Sequence, residues 1–123
     1  MYKYILLATA VFCSLSTLSG QNVYEVEKLT SDSSIECFPS WSPDGKFIVY
    51  SFIATHNDAE KTGLWKLDFD TKEAVQILNE IAEHPKISPD GKYIVFDADS
   101  GRSIKMIPVD GGVPTLPFMA EMG

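Results

Sequence analysis

The sequence predicts an all-β fold made of a repeated, four-stranded antiparallel unit, and three observations predict it. One cassette is written twice, as "PSWSPDGKFIVYSF" from Pro39 and "PKISPDGKYIVFDA" from Pro85, with Ser42 recurring as Ser88 at an offset of 46 residues. A second block follows in each copy: "LWKLDFD" from Leu64 aligns with "IKMIPVD" from Ile104 at an offset of 40, so Leu64, Leu67 and Phe69 answer to Ile104, Ile107 and Val109. Finally, no segment beyond the N-terminal leader carries a convincing helical period. The six extra residues of the first copy fall in the polar run "THNDAEKT" from Thr55, where an insertion belongs in a loop. A period in the forties with four short strands per unit is the pattern of a β-propeller blade.

The elements follow in chain order. Lys3, an apolar run from Ile5 to Phe12 and small or polar residues from Ser14 to Gly20 form the layout of a signal peptide over residues 1–20. The apolar run is shorter than the roughly 20 residues a spanning helix needs. Cys13 is not expected to be a lipoprotein cysteine, because Phe12 stands where such a site wants a small residue. Residues 21–123 then divide into a first blade over about 31–78 and a second over about 79–123. Before them, "VYEVEKLT" from Val23 reads as an outer strand closing a preceding blade.

Within each blade a short strand enters at Cys37 or His84. It meets a turn, Ser42-Pro43-Asp44-Gly45 or Ser88-Pro89-Asp90-Gly91. Proline fixes φ at the second turn position, aspartate bonds its local backbone and glycine accepts positive φ, so the turn chemistry alone explains these residues. "KFIVYSF" and "KYIVFDA" are β-branched and aromatic, the composition of a strand buried on both faces. "GLWKLDF" and "SIKMIPV" give third strands, and "EAVQIL" and "GVPTLP" fourth strands. The run "AVQILNEIAEH" could form a helix, but its counterpart "VPTLPFMAEM" contains prolines that favour strand and loop.

Composition narrows the function. The chain carries 10 basic against 17 acidic residues, a net charge of −7. That balance disfavours nucleic acid and anionic membrane surfaces. Cys37 is the single cysteine beyond the leader, which excludes an internal disulfide framework and reads as a buried strand residue. There is no G-x-S-x-G elbow, and the histidines are only His56 and His84. A metal reading would use His56, Asn57 and Asp58, or Asp97 and Asp99 in "DADSG". The latter lacks the third acidic ligand and distal glutamate of a calcium loop. No catalytic residue, metal ligand or cofactor is expected. Trp41 fills the slot of Ile87 and is expected in core or inter-blade packing; Trp65 aligns with Lys105, a position that tolerates charge.

The pattern P-x-[WI]-S-P-D-G-K-[FY]-I-V-[YF], followed by a further strand, resembles the TolB-type β-propeller repeat over roughly residues 26 to 117. The same repeat builds propellers in prolyl-oligopeptidase-like and tricorn-like proteins. The resemblance implies a non-catalytic, exported scaffold for protein partners in the periplasm of a Gram-negative bacterium. Two alternatives stay open: the gating propeller of an oligopeptidase-like serine protease whose catalytic domain lies elsewhere, and a propeller binding carbohydrate or small molecules. A closed propeller has about four to eight blades, and only two are written here, so the fold is expected to be an incomplete propeller. The chain is then a fragment, the preferred reading, or it associates with other copies, or it is a two-blade module.

Overall fold

The computed structural model describes residues 25–30, 35–55 and 58–117. The expected signal peptide therefore lies outside the described residues. The chain divides into two units, Met1–Ser31 and Asp32–Gly123. In the first, Glu25–Thr30 joins no ladder, so the outer strand expected from Val23 is not formed over those residues. Val26 is 92% exposed.

The second unit holds two antiparallel sheets. The first has the order β1 (Ile35–Trp41), β2 (Phe47–Ile53), β3 (Gly63–Asp68) and β4 (Ala74–Leu78); the second has β5 (Glu83–Ile87), β6 (Tyr93–Ala98) and β7 (Ser103–Pro108). Their registers superpose on the repeat. Ile48 opposes Leu67 as Ile94 opposes Ile107, and Phe52 opposes Gly63 as Ala98 opposes Ser103. The six extra residues lie between those last pairs, in a loop that carries a short 3-10 turn over Ala59–Lys61.

The second sheet lacks the expected fourth strand. Thr115 forms an isolated bridge with Met106, through backbone hydrogen bonds of 2.7 and 2.8 Å. Pro114 and Pro117 flank it without a backbone N–H, so the ladder cannot continue through them. "AVQIL", without proline, forms the full strand β4 in the first sheet.

β2 is buried on both faces, as its composition predicts. One face of the first sheet contributes Val49, Leu64 and Leu78 to a core completed by Ile94, Phe96 and Ile107 of the second. Ile48, Tyr50, Phe52 and Leu67 form another cluster on the opposite face, with Ala54, Trp65 and Phe69 packed against it. Trp41 lies at the margin of this second cluster. It is 64% exposed, with its ring 5.0 Å from that of Phe69, and is not a core residue. Its register partner Ile48 places it on the face away from the second sheet.

Glycine is required at three positions for two different reasons. Gly45 and Gly91 turn with φ of 73° and 74°, and space around their Cβ positions is open or loose. Gly63, at φ 142°, sits where a Cβ would collide with the carbonyl of Leu78 on the neighbouring strand. Gly45→Val and Gly91→Val are each expected to cost about 1–2 kcal/mol through left-handed backbone strain. Gly63→Ala should cost more, about 3 kcal/mol, because backbone itself must move. Urea unfolding of the three variants tests that order; equal losses would contradict the assignment of the collision at Gly63.

Candidate functional site

The two turns are small hydrogen-bonded meshes repeated bond for bond. The Ser42 hydroxyl donates to Asp44 Oδ1 at 2.7 Å and accepts from the Phe47 N–H at 3.0 Å. The same carboxylate accepts the Lys46 N–H at 3.0 Å, and the Gly45 N–H closes the turn on the Ser42 carbonyl at 3.0 Å. In the second copy Ser88 and Asp90 make the same contacts with Lys92, Tyr93 and Gly91. The third strands end on these turns, with the N–H groups of Phe69 and Val109 each 2.9 Å from the Lys46 and Lys92 carbonyls. Pro43 and Pro89 occupy the second turn positions, and Pro43 Cδ lies 3.7 Å from where a Gly91 Cβ would stand, so the two turns are neighbours. These eight residues shape the fold; their polar groups point at one another rather than at a common point in solvent.

The Ser42 hydroxyl and then the Lys46 N–H hold the Asp44 carboxyl below the ordinary aspartate value, and Ser88 and Lys92 do the same for Asp90. Both groups are thus more acidic in the folded than in the unfolded chain.

A different cluster faces solvent on the edge formed by β1 and β5. Both strands bulge at the same place, between Cys37 and Ser40 and between Glu83 and Lys86. Proline stands in each bulge, where a missing N–H disrupts no ladder. The residue before it takes positive φ in each, 54° at Phe38 and 50° at His84, a strained conformation for a bulky side chain. The bulges aim the two rings at each other, with centroids 4.0 Å apart. His84 Nδ1 lies 3.1 Å from Asp97 Oδ2, and Phe38 is 38% exposed. The edge thus sets a polar imidazole on an aromatic face with a carboxylate beside it.

The repeat gives this pair a silent counterpart. Ser51 aligns with Asp97 and Phe38 with His84, so the first blade places a hydroxyl where its neighbour cannot bond it. Ser51 is fully buried, and its hydroxyl makes no hydrogen bond among the described residues. Cys37, beside them, is half-buried rather than buried. Burial, then the negative charge of Glu83, pushes its thiol up, which keeps it protonated and a poor nucleophile at neutral pH.

Side chains also clamp the inserted loop. Gln76 and Asn79 both donate to the Glu60 carbonyl, and the Trp65 indole N–H donates to the Lys61 carbonyl at 2.8 Å. Trp65, which aligns with a lysine, uses its polar atom here while its ring packs 5.9 Å from Phe52. Of the residues weighed for metals, His56 and Asn57 lie outside the described residues and Asp58 pairs with Lys61 at 3.6 Å. Asp97 is held by His84, whereas Asp99 accepts the Ser103 hydroxyl, so the two carboxylates are engaged separately. No group of three His, Cys, Asp or Glu able to hold a metal occurs among the described residues. Among them also, no helix is long and apolar enough to cross a membrane.

With the geometry described, known proteins can be compared. No family model matches the sequence. The Tol-Pal system protein TolB of Francisella tularensis subsp. tularensis is 36% identical over 91 residues, covering 72% of this chain and 20% of that protein. TolB of the subspecies mediasiatica gives the same identity and coverage. Among solved structures, TolB from Acinetobacter baumannii superposes with a TM-score of 0.58 at 28% identity, over 73% of this chain and 23% of that one. The two sheets are TolB-like propeller blades. A structure assigned as TolB from Agrobacterium tumefaciens agrees, with a TM-score of 0.58 at 25% identity, over 72% of this chain and 31% of its own. The chain spans about a fifth of the length of the curated relatives it matches.

Two outcomes follow for the TolB-like blades. Because Asp44 and Asp90 have depressed folded values, the stability they contribute is complete above the ordinary aspartate range and is lost as pH falls through the folded values. An Asp44→Asn/Asp90→Asn variant should therefore show a flatter acid limb in urea midpoints measured from neutral pH downward; an unchanged slope would contradict the mesh. Serine gives the second outcome. Ser42→Ala removes two turn hydrogen bonds and should cost about 1 kcal/mol, whereas Ser51→Ala removes an unbonded buried hydroxyl and should be neutral or stabilising. Thermal melts of the two variants check this: a loss at Ser51 as large as that at Ser42 would contradict it.

Proposed function

We propose that the chain serves as an exported, non-catalytic TolB-like propeller scaffold that holds protein partners in the envelope of a Gram-negative bacterium, as part of a Tol-Pal-type system. The observation carrying this reading is the β1/β5 edge, where two strained bulges hold Phe38 and His84 ring to ring beside Asp97. Strain retained at a solvent-facing position in both repeats is consistent with a surface shaped for contact. The excess of acidic over basic residues favours a basic or neutral partner segment. The similarity to proteins named as Tol-Pal components supports the same assignment.

The chemistry of the site supports binding rather than turnover. The Cys37 thiol is held protonated, the turn aspartates are fully engaged in their own turns, and His84 is bonded to Asp97 beside an aromatic ring. None of these groups is paired as nucleophile and base in the manner covalent catalysis needs.

The test is a photo-crosslinking amino acid placed at Phe38 in the full chain, expressed in a Gram-negative cell, with Val75 as control. Val75 is 61% exposed on β4, the opposite edge of the same sheet. The chain is expected in the periplasmic fraction. The Phe38 probe, and not the Val75 probe, is expected to capture a Tol-Pal protein identifiable by mass spectrometry. Retention in the cytoplasm, or equal capture from both positions, would overturn the proposal.

A further inference from the structure

The chain contains three Asp-Gly pairs, Asp44-Gly45, Asp90-Gly91 and Asp110-Gly111. In such a pair the glycine nitrogen can attack the aspartate Cγ, because glycine has no Cβ to block the approach and its backbone turns freely. The structure treats the three pairs differently. The Asp44 carboxylate accepts the Ser42 hydroxyl and the Lys46 N–H, and the Asp90 carboxylate accepts the Ser88 hydroxyl and the Lys92 N–H. Each of these pairs also sits between two strands of one ladder, β1 and β2 or β5 and β6. The bonds hold both carboxyls below the ordinary aspartate value, so little of the neutral acid is present from which water can leave.

Asp110 lies in a different setting. Among the described residues its carboxylate bonds to Lys66 at 2.8 Å, and its side chain is 84% exposed. An exposed ion pair holds weakly, so the carboxylate leaves it often. Gly111 and Gly112 follow with φ of 93° and 140°, and beyond them stands only the single bridge at Thr115 rather than a strand. The glycine amides do not separate the three sites. Gly111 donates to the Pro108 carbonyl at 2.9 Å much as Gly45 and Gly91 donate to Ser42 and Ser88. The difference lies in the carboxylate and in the freedom of the backbone after it. Nor does the exposure of Asp110 require a free sheet face. Asp70, its counterpart at the offset of 40, is exposed although the second sheet packs against its own.

We propose that Asp110-Gly111 is a site of spontaneous isoaspartate formation, from which the two Ser-Pro-Asp-Gly turns are protected by their own hydrogen bonds. The Gly111 nitrogen forms a bond to Cγ of Asp110. The C–OH bond of the neutral carboxyl breaks, and the hydroxyl leaves as water with the proton of the Gly111 N–H. Water then opens the cyclic imide. Opening at Cγ restores aspartate, whereas opening at the main-chain carbonyl carbon leaves the backbone running through Cγ, one carbon longer. No oxidant or reductant takes part. The lengthened backbone draws the carboxylate away from Lys66 and shifts Thr115 against Met106, which loosens a tie between the sheets and the bridge at the end of the second. The site does not depend on export or on a Tol-Pal partner.

The experiment is incubation of the purified full chain in weakly acidic buffer for weeks, both folded and in urea, followed by tryptic digestion. The three pairs fall on separate tryptic peptides, ending at Lys46, at Lys92 and at Gly123. Electron-transfer fragmentation distinguishes isoaspartate from aspartate in each. In the folded chain Asp110 is expected to convert about tenfold faster than Asp44 or Asp90, the factor that one further hydrogen bond to a carboxylate gives. In urea the three are expected to convert at similar rates, since only the shared Asp-Gly sequence remains. Ser42→Ala takes one bond from the Asp44 carboxylate; it is expected to speed conversion at residue 44 and to leave residue 110 unchanged. Ser88→Ala makes the same test at the second turn should the first variant fail to fold. Equal rates at the three sites in the folded chain, the folded order persisting in urea, or a serine variant whose turn stays as inert as the parent's would each overturn the proposal.

Discussion

The structure depends on the hydrogen-bond mesh within each Ser-Pro-Asp-Gly turn. A strand slipped by one residue shows its core side chains to the wrong face, so a two-sided strand such as β2 needs its register fixed at the end. The Ser42 hydroxyl supplies this by accepting the first N–H of β2 while donating to the Asp44 carboxylate. The turn also receives the end of β3 through the Phe69 N–H. One turn therefore sets three strands, and the same bonds at Ser88 and Asp90 set β5, β6 and β7. Val49 and Leu64 then meet Ile94, Phe96 and Ile107 because both sheets keep the same register.

Duplication of a cassette duplicates its geometry but leaves side chains free to diverge, and the chain divides its chemistry along that line. Backbone features are kept in both copies: the turn, the bulge before Lys86 and its partner before Ser40, and the positive φ preceding each proline. Side chains around those features differ. The second blade joins His84 to Asp97, whereas the first places Phe38 and Ser51 at the same points and leaves the buried hydroxyl unbonded. Contact chemistry on the β1/β5 edge thus arises from substitution on a conserved backbone scaffold rather than from a new loop.

Much of this was legible in the sequence because backbone-determining residues repeat at fixed offsets. The shift from 46 to 40 located the inserted loop between the second and third strands, and the composition of "KFIVYSF" announced a strand buried on both faces. Two features were less legible for physical reasons. Trp41 aligns with a core isoleucine, and alignment reports position within a blade but not whether a second sheet covers that face. The fourth strand of the second blade fails because Pro114 and Pro117 withhold N–H groups on both sides of Thr115, a cost that pattern matching with "EAVQIL" does not register. The aromatic–imidazole stack had a faint signal, Phe38 and His84 each standing before a proline, but the ring contact emerges only when two bulges bring the strand edges together.

The same reasoning separates the surfaces that could act. Turn residues spend their polar groups on one another, so the most recognisable motif in the sequence is chemically closed. Groups that remain directed at solvent lie elsewhere, at the β1/β5 edge and on the outward sheet faces bearing Trp41, Tyr93 and Ile104. The edge combines an aromatic ring, an imidazole and a carboxylate on a strained backbone. The outward faces expose Trp41, Tyr93 and Ile104 at positions whose counterparts Ile87, Phe47 and Leu64 pack between the two sheets.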